Sequence, residues 1–233
     1  SSSSAAAAAA ASKIGKRDRE KQQQRQATFL PETETTKEQP AATINMGLVH
    51  AQHGRVMVTT SVFAYHKISN KTHVVMETVP LHLPPIQVQT KAFWLDIPVW
   101  VQVLCHKKGL DFKGGIHGAA HAVAAITPLC LACDSNADLG CECPNVKETT
   151  KRPSRILVYE RRTGGLGLAS SGCLMMPELL RLAKDVIRSC ACRDPHRLGC
   201  PYCVQSPTCP EYNEVMDKDA ALLILESMLE IVA

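Results

Sequence analysis

The stretch CACRDPHRLGCPYCVQSPTC, residues 190–209, carries five cysteines and is the strongest signal in the sequence. Cys190 and Cys192 are followed, after seven residues, by Cys200 and Cys203, and Cys209 follows after five more residues. Thiolates at this spacing can converge on one zinc ion without long-range folding. We predict a structural zinc held by Cys192, Cys200, Cys203 and Cys209, with Cys190 as the substitute for Cys192. Four sulfur ligands leave no position for a catalytic water, so zinc hydrolase chemistry is disfavoured.

A second group of cysteines precedes this stretch, with nearly the mirror-image spacing. Cys130 and Cys133 are followed, after seven residues, by Cys141 and Cys143. The spacing suits a second zinc. However, Cys130 and Cys133 end an apolar segment, where cysteine packs as a small hydrophobic residue. The sequence leaves both interpretations open.

The total of eleven cysteines is odd, and no stretch has the pattern of a secretory signal. Reduced thiols or metal ligands are therefore favoured over a disulfide framework. The longest uncharged run, 114–133, contains two histidines and a proline, which favours a buried helix and no membrane span.

His117 and His121 are spaced to lie on one face of a helix, but the residue after His117 is Gly118 and not the glutamate of a metalloprotease motif. We interpret them as a core or surface histidine pair. The glycine-rich run 164–167 follows a predicted strand but has no P-loop pattern, which favours a tight turn. We therefore assign no catalytic residue, and nucleotide hydrolysis by this chain alone is not expected.

Composition divides the chain at about residue 40. Residues 1–40 are of low complexity and predict a disordered leader, since they cannot bury enough apolar surface. Residues 12–26 of this leader hold six Lys/Arg and two Asp/Glu, so the net charge of +4 lies in this stretch and the rest of the chain is neutral overall. We predict one domain over 41–233, rich in strands over 41–90, and helical and zinc-binding over 91–233.

The fold class predicted for this domain is α+β. Strands are expected over 45–51 and 55–60, joined by a turn at His53-Gly54, over 61–68 and 72–79, and over 155–160. Helices are expected over 116–132, from Met176-Pro177, and from Asp217 as an N-cap. The architecture is then a set of N-terminal antiparallel strands, a central buried helix, a compact cysteine-rich zinc element and a C-terminal helix.

Residues 147–197 hold eleven Lys/Arg against five Asp/Glu, a local charge of +6. Arginines in this stretch could pair with the phosphates of a nucleic acid. Alternatively, they form the solvated face that a surface helix needs. The candidates are Arg152, Arg155, Arg161, Arg162, Arg181, Arg188, Arg193 and Arg197.

A series of short motifs in one order resembles the C-terminal MrfA-like zinc-binding domain of superfamily 2 (RecQ-like) DNA-repair helicases. The resemblance covers about residues 41–221, and its most specific motif is Gly199 to Pro207. The other motifs are Ala92 to Pro98, His121-Ala122, Pro128-Leu129, Cys133-Asp134, Asp138 to Gly140, Tyr159-Glu160 and Gly164 to Ala169.

The resemblance implies that a full-length relative is an ATP-dependent 3′-to-5′ DNA helicase acting in nucleotide excision or crosslink repair in the nucleus. Zinc would be a structural cofactor of an accessory element, and ATP would bind only to motor lobes that this sequence does not contain. Single-stranded DNA and the motor lobes are the implied partners. We therefore expect a fragment or a separately encoded accessory domain.

Three hypotheses follow from the sequence. The first is a zinc-stabilised accessory domain that contacts DNA or braces the motor. The second is a protein-binding module that docks a helicase core on another chain without DNA contact. The third, a thiol-redox enzyme using Cys200 and Cys203, is disfavoured because Pro201 and the nearby thiols suit a metal better.

Overall fold

The computed structural model describes residues 21–23, 44–46, 49–62, 64–144, 153–193 and 196–232. Most of the predicted leader and Arg152 lie outside the described residues. The strands are β1 Lys21–Gln23, β2 Ile44–Met46, β3 Val49–Thr60, β4 Ala64–Ile68, β5 Val75–Pro80, β6 Ile86–Asp96, β7 Leu139–Cys141 and β8 Arg155–Glu160. The helices are α1 Val99–Lys107, α2 Phe112–Cys130, α3 Leu168–Leu174, α4 Met176–Ser189 and α5 Lys218–Val232.

The chain divides into two units, and the smaller comprises Ser1–Gln26 and Thr60–Ile86. Its described part is a three-stranded sheet in the order β1-β4-β5, with both strand pairs antiparallel. The turn predicted between β4 and β5 is present, closed by a 3.0 Å bond from the Ser69 amide to the Val74 carbonyl. Lys67 and Glu77 form an exposed ion pair of 2.8 Å across β4 and β5.

The larger unit, Ala27–Thr59 and Gln87–Ala233, contains a five-stranded sheet in the order β2-β3-β6-β8-β7. Strand β8 pairs antiparallel with β6 and β7. On one face, Phe93 and Val158 are paired across β6 and β8 and pack into the main core with the helices. On the other face, Ala92 and Leu157 pack with two valines of β3. Side chains of β8 are therefore buried on both faces of the sheet, which explains why RILVYE is almost continuously apolar.

The predicted turn at His53-Gly54 is wrong, because β3 runs unbroken through these residues. A Cβ atom at Gly54 would lie 3.3 Å from the Trp94 ring. The glycine therefore marks a close approach between a strand and a large side chain, which is the other common meaning of a strand glycine. The antiparallel connection lies earlier, between β2 and β3, where Met46 pairs with Val49.

Helix α2 is the central buried helix that the sequence predicts. Its N-cap is Asp111, whose carboxylate accepts a 3.1 Å bond from the Lys113 amide. Small residues let α5 approach closely, and a Cβ atom at Gly115 would lie 2.6 Å from the Cβ of Ala220. The described residues include no helix with the length and apolarity that a membrane crossing needs.

Helices α4 and α5 begin where the sequence predicts, and Asp217 caps α5 through a 3.0 Å bond from the Ala220 amide. Helices α1 and α3 are not predicted by the sequence pattern. The expected α+β class is confirmed, with antiparallel strands, a buried central helix and a cysteine-rich segment before the last helix.

Candidate metal centres

Four cysteine sulfurs lie within 4.8 Å of one another, and we name them the knuckle cluster: Cys190, Cys192, Cys200 and Cys203. The Sγ atoms of Cys190 and Cys200 are 3.5 Å apart. The Sγ of Cys203 is 3.7 Å from that of Cys192 and 3.7 Å from that of Cys200. A tetrahedral zinc with Zn–S bonds of about 2.3 Å has sulfur–sulfur edges of about 3.8 Å. The donor set and its spacing therefore fit a structural zinc.

Local backbone structure brings these thiols together. Helix α4 ends at Ser189, so Cys190 follows in extended conformation. The carbonyl of Cys200 accepts bonds from the amides of Cys203 at 3.0 Å and Val204 at 3.2 Å, which folds the C-P-Y-C turn. Gly199 has φ of +70°, and a side chain there would collide with that of Val204. Only glycine fits this approach to the turn.

Lys218, the first residue of α5, places a positive charge beside the knuckle cluster. Its Nζ donates to the Cys190 carbonyl at 3.0 Å and to the Cys192 sulfur at 3.2 Å. Burial opposes the ammonium form, yet the hydrogen bond and charge of Cys192 outweigh it and raise the pKa of Lys218. A tetrathiolate zinc carries net negative charge, so this ammonium offsets part of it.

Cys209, predicted as a ligand with Cys192, Cys200 and Cys203, is not brought to the knuckle cluster, and Cys190 stands there in its place. The loop that follows Cys203 explains this placement of Cys209. The Ser206 amide donates to the Asn213 side chain at 2.9 Å, and that side chain returns a 3.0 Å bond to the Ser206 carbonyl. This loop carries Cys209 to helix α2 instead.

A second group, which we name the His–Cys cluster, comprises His117, His121, Cys143 and Cys209, again within 4.8 Å. Both histidines and Cys209 are buried, and Cys143 is partly buried. Cys209 Sγ lies 3.4 Å from His117 Nε2, and Cys143 Sγ lies 3.4 Å from His121 Nε2.

Electrostatics in the His–Cys cluster favour thiolate over thiol at Cys209. Its hydrogen bond with Cys143, followed by bonds with His117 and His121, lowers the pKa of Cys209 to about 2 although burial opposes this. Burial also acts to lower the pKa of His121, but the neighbouring Cys141 and Cys209 raise that pKa to about 10. Thiolate is the form of cysteine that binds metal.

The predicted group Cys130, Cys133, Cys141 and Cys143 is not brought together as one metal-binding set among the described residues. Cys143 belongs to the His–Cys cluster, and Cys141 lies beside it with its sulfur 3.9 Å away. Cys130 and Cys133 are partly buried against the core, which suits the packing interpretation. Sequence reasoning found the histidine pair on one helix face but could not connect it with distant cysteines.

Most of the predicted phosphate-binding arginines have partners within the chain. Arg193 is exposed, and the Arg161 guanidinium donates to the Leu139 carbonyl. Four others pair with acidic residues outside the basic stretch, so much of the local +6 charge is neutralised. These pairs are Arg155–Asp96 at 3.1 Å, Arg162–Asp138 at 3.4 Å, Arg197–Asp217 at 3.7 Å, and Arg188–Glu226.

The glycine-rich loop after β8 wraps around a carboxylate of the chain itself. Glu160 is fully buried, and its carboxylate accepts bonds from the Leu166 amide and, at 2.8 Å, from the Ala169 amide. These amides are the groups that a phosphate loop would present to its ligand. Because the chain's own carboxylate takes their bonds, the loop is a structural turn, as predicted.

Known proteins resemble this chain in sequence. The model of the family described as the MrfA Zn-binding domain matches residues 119–204. The ATP-dependent helicase HRQ1 of Saccharomyces cerevisiae is 29% identical over 184 residues, which are 76% of this chain and 17% of the helicase. An uncharacterized protein of Methanocaldococcus jannaschii is 31% identical over 115 residues, which are 49% of this chain and 99% of that protein.

A solved structure shares the fold. The crystal structure of the DUF1998 helicase MrfA bound to DNA superposes with a TM-score of 0.52 at 22% identity, covering 87% of this chain and 25% of that one. The chain thus spans 17% of the length of the yeast helicase and a quarter of the solved helicase chain.

Proposed function

We propose a function from one premise: the chain belongs to the MrfA zinc-binding domain family. It is a zinc-binding domain of the kind found in MrfA-type helicases, and it is homologous to the ATP-dependent helicase HRQ1. The observation that carries the proposal is the knuckle cluster, which lies entirely within the matched residues 119–204. Zinc there would hold the end of α4, the C-P-Y-C turn and the start of α5 together.

In this proposal the domain is an accessory element of an ATP-dependent 3′-to-5′ DNA helicase that acts in DNA repair. ATP binding and hydrolysis belong to the motor lobes, and this domain braces them or guides single-stranded DNA. The homology to HRQ1 supports a helicase context. All four positions around the knuckle zinc would be filled by sulfur, which supports a structural and not a catalytic role.

Contact with single-stranded DNA is supported by exposed basic and aromatic side chains in the cysteine-rich half of the chain. Tyr202, at the tip of the C-P-Y-C turn, is 87% exposed. Arg193 is exposed close by in sequence, and the Arg162 side chain is 64% exposed despite its pair with Asp138. Aromatic rings stack on unpaired bases, and exposed ion pairs are weak enough to exchange for phosphate.

The test of DNA contact is the salt dependence of oligothymidine binding by the zinc-loaded chain, followed by fluorescence anisotropy. The Arg162→Ala and Arg193→Ala exchanges should each weaken binding and reduce the slope of log K against log salt by about 0.7. Tyr202→Ala should weaken binding with little change in slope. Lys71→Ala, an exposed lysine outside the basic stretch, is the matched control and should change neither quantity.

A second candidate function is docking on a helicase core without DNA contact. Two observations favour it: the arginines paired within the chain, and an exposed apolar patch on α1 formed by Val99, Trp100 and Val103. Titration calorimetry of the chain with separately purified motor lobes tests it. Trp100→Ala should weaken that binding, and docking without DNA contact replaces the proposed DNA contact if the chain binds the motor lobes but not oligothymidine.

Nuclear localisation and the repair role are part of the first proposal. A fluorescent fusion of the full-length protein should accumulate in the nucleus. Cells lacking the protein should be sensitive to a DNA crosslinker, and a Cys200→Ser allele should not restore resistance. Normal resistance in cells that carry this allele would count against a zinc-dependent repair role.

A further inference from the structure

We infer that the His–Cys cluster is a second zinc site, with His117 Nε2, His121 Nε2, Cys143 Sγ and Cys209 Sγ as its four ligands. The inference depends on the geometry of these four residues and not on DNA contact or the helicase context. The family match begins at residue 119 and ends at residue 204, so it includes neither His117 nor Cys209. The match therefore does not contain a complete second site.

The first argument is the orientation of the imidazoles. His117 Nδ1 lies 2.7 Å from the Val215 carbonyl, and His121 Nδ1 lies 2.8 Å from the Val204 carbonyl. A carbonyl oxygen only accepts, so Nδ1 must carry the proton in both rings. In the neutral form that binds a metal, each ring then has its lone pair on Nε2, the nitrogen that faces the two sulfurs. Zinc-binding histidines use this arrangement, in which the second ring nitrogen is fixed by a backbone carbonyl.

The second argument is distance. Zinc bonds of about 2.0 Å to nitrogen and about 2.3 Å to sulfur give a nitrogen–sulfur edge of about 3.5 Å in a tetrahedron. The distances from His117 Nε2 to Cys209 Sγ and from His121 Nε2 to Cys143 Sγ are both 3.4 Å. Two independent His–Cys hydrogen bonds would also give these two distances. However, such bonds do not require the two pairs to be close together, whereas all four donor atoms lie within 4.8 Å of one another.

The third argument is burial. His117 and His121 are 0% and 3% exposed, and their ring centroids are only 4.3 Å apart. Placing two imidazoles and two thiols together inside a protein is unfavourable unless their polar atoms have partners. A zinc ion would satisfy both Nε2 atoms and both sulfurs at once. A set of two nitrogens and two sulfurs suits zinc and not magnesium or calcium, which prefer oxygen.

The site would have a structural role, because four protein ligands leave no position for water. His117 and His121 come from α2, Cys143 follows β7, and Cys209 lies in the loop after the knuckle, 92 residues from His117. Zinc would therefore bind three segments that are distant in sequence. The Val204 carbonyl that orients His121 directly follows Cys203 of the knuckle cluster, so one short segment would serve both metals.

The decisive experiment needs no variant. The chain 1–233 is purified without a tag, its zinc content is measured by mass spectrometry, and its zinc K-edge absorption is recorded. We expect two zinc ions per chain, with an average coordination of three sulfurs at about 2.3 Å and one nitrogen at about 2.0 Å. A single zinc per chain with sulfur ligands alone would overturn the second site and leave the knuckle zinc intact.

Variants then assign the ligands. Cys209→Ser and His121→Ala should each lower the content from two zinc ions to one, and the remaining zinc should have only sulfur ligands. Cys200→Ser should remove the other zinc and leave a spectrum with two nitrogens and two sulfurs. Should Cys209→Ser retain both ions, the ligand set is wrong.

Matched controls use cysteines outside both clusters. The double exchange Cys130→Ser, Cys133→Ser should retain two zinc ions, as should Cys141→Ser, whose sulfur lies 3.9 Å from that of Cys143. Loss of a zinc from either control would overturn the assignment in favour of the neighbouring thiols. A chain without any zinc would overturn the zinc-binding proposal as well, whereas a failure to bind DNA would leave this inference unaffected.

Discussion

The knuckle cluster and the His–Cys cluster offer similar donor atoms, but their ligands are distributed along the sequence very differently. The four knuckle cysteines fall between residues 190 and 203, whereas the His–Cys ligands extend from residue 117 to residue 209. A local turn is enough to form the first cluster. The second requires α2, the end of the sheet and a distant loop to be in place first. Zinc in the knuckle cluster can therefore assist folding, whereas zinc in the His–Cys cluster can stabilise only a fold that has already formed.

The surroundings of the two clusters differ as well. A side chain, Lys218, donates to the knuckle cluster, while backbone carbonyls orient the two histidines of the other. Three of the four knuckle cysteines are partly exposed, and three of the four His–Cys ligands are buried. The knuckle zinc should therefore be easier to reach and easier to alter by single substitutions.

The largest expected effect is that of Cys203→Ser. Structural zinc can contribute on the order of 10 kcal/mol to folding, comparable with the whole stability of a domain. We expect thermal unfolding followed by circular dichroism to keep a cooperative transition, supported by the His–Cys zinc, but with a midpoint lowered by about 20 °C or more. Cys173→Ser, a buried cysteine outside both clusters, is the control, and its midpoint should fall by only a few degrees. A cooperative transition in Cys203→Ser at the wild-type midpoint would contradict a structural knuckle zinc.

The second largest expected effect is a difference between the rates at which the two clusters lose zinc to a chelator. Excess chelator with a colorimetric zinc indicator should release zinc in two phases of equal amplitude. The slow phase should be at least about ten-fold slower than the fast one, because a buried ion leaves only through local opening. Cys200→Ser should abolish the fast phase, and Cys209→Ser the slow phase. If Cys209→Ser abolished the fast phase, the His–Cys cluster would be the more accessible of the two, contrary to its burial in the structure.

A smaller effect is expected from Lys218→Met, which keeps the length of the side chain but removes its ammonium group. Loss of a group that hydrogen-bonds a metal ligand typically lowers metal affinity by about 10- to 100-fold. Competition with a chelator of known affinity should show this decrease for the knuckle zinc alone. Lys184→Met, in α4 where the ammonium pairs with Asp185 at 3.3 Å and not with either cluster, is the control and should leave both affinities unchanged. An equal loss of affinity for both zinc ions would show that Lys218 acts through the stability of the fold and not on the knuckle cluster.

The smallest effect distinguishes two glycines of α2, the helix that carries both histidines. A Cβ at Gly115 would lie 2.6 Å from Ala220 Cβ, whereas the nearest atom to a Cβ at Gly118 is Ala221 Cβ at 3.2 Å. Overpacking costs about 1–3 kcal/mol, and alanine recovers about 1 kcal/mol of helix propensity. In urea unfolding, Gly115→Ala should therefore lower the free energy of unfolding by about 1 kcal/mol. Gly118→Ala should change it by less than about 0.5 kcal/mol. Equal effects would contradict the close approach of α2 and α5 at Gly115.

Elements with strong local signals were predictable. Helices α4 and α5 begin where a proline at the first turn and an aspartate cap indicate, and β8 was evident from a run of apolar residues. The prediction of a turn at His53-Gly54 was wrong. A glycine that lets a strand lie close to the Trp94 ring cannot be told from a turn glycine by sequence alone. Helix α1 is short and leaves Trp100 exposed, so its apolar pattern does not mark a buried face.

The family, predicted from the resemblance of short motifs, and the α+β class and the close group of cysteines at 190–203, predicted from local residue patterns, could all be read from the sequence, because each depends on residues near one another in the chain. Which thiols lie close enough to share a metal depends on the tertiary structure. It placed Cys190 in the knuckle cluster, carried Cys209 to His117 and joined Cys143 to His121. Spacing along the chain limits which ligands can approach one another. The paths of α2 and of the loop after the knuckle, set by packing and hydrogen bonds across the core, decide which of them do.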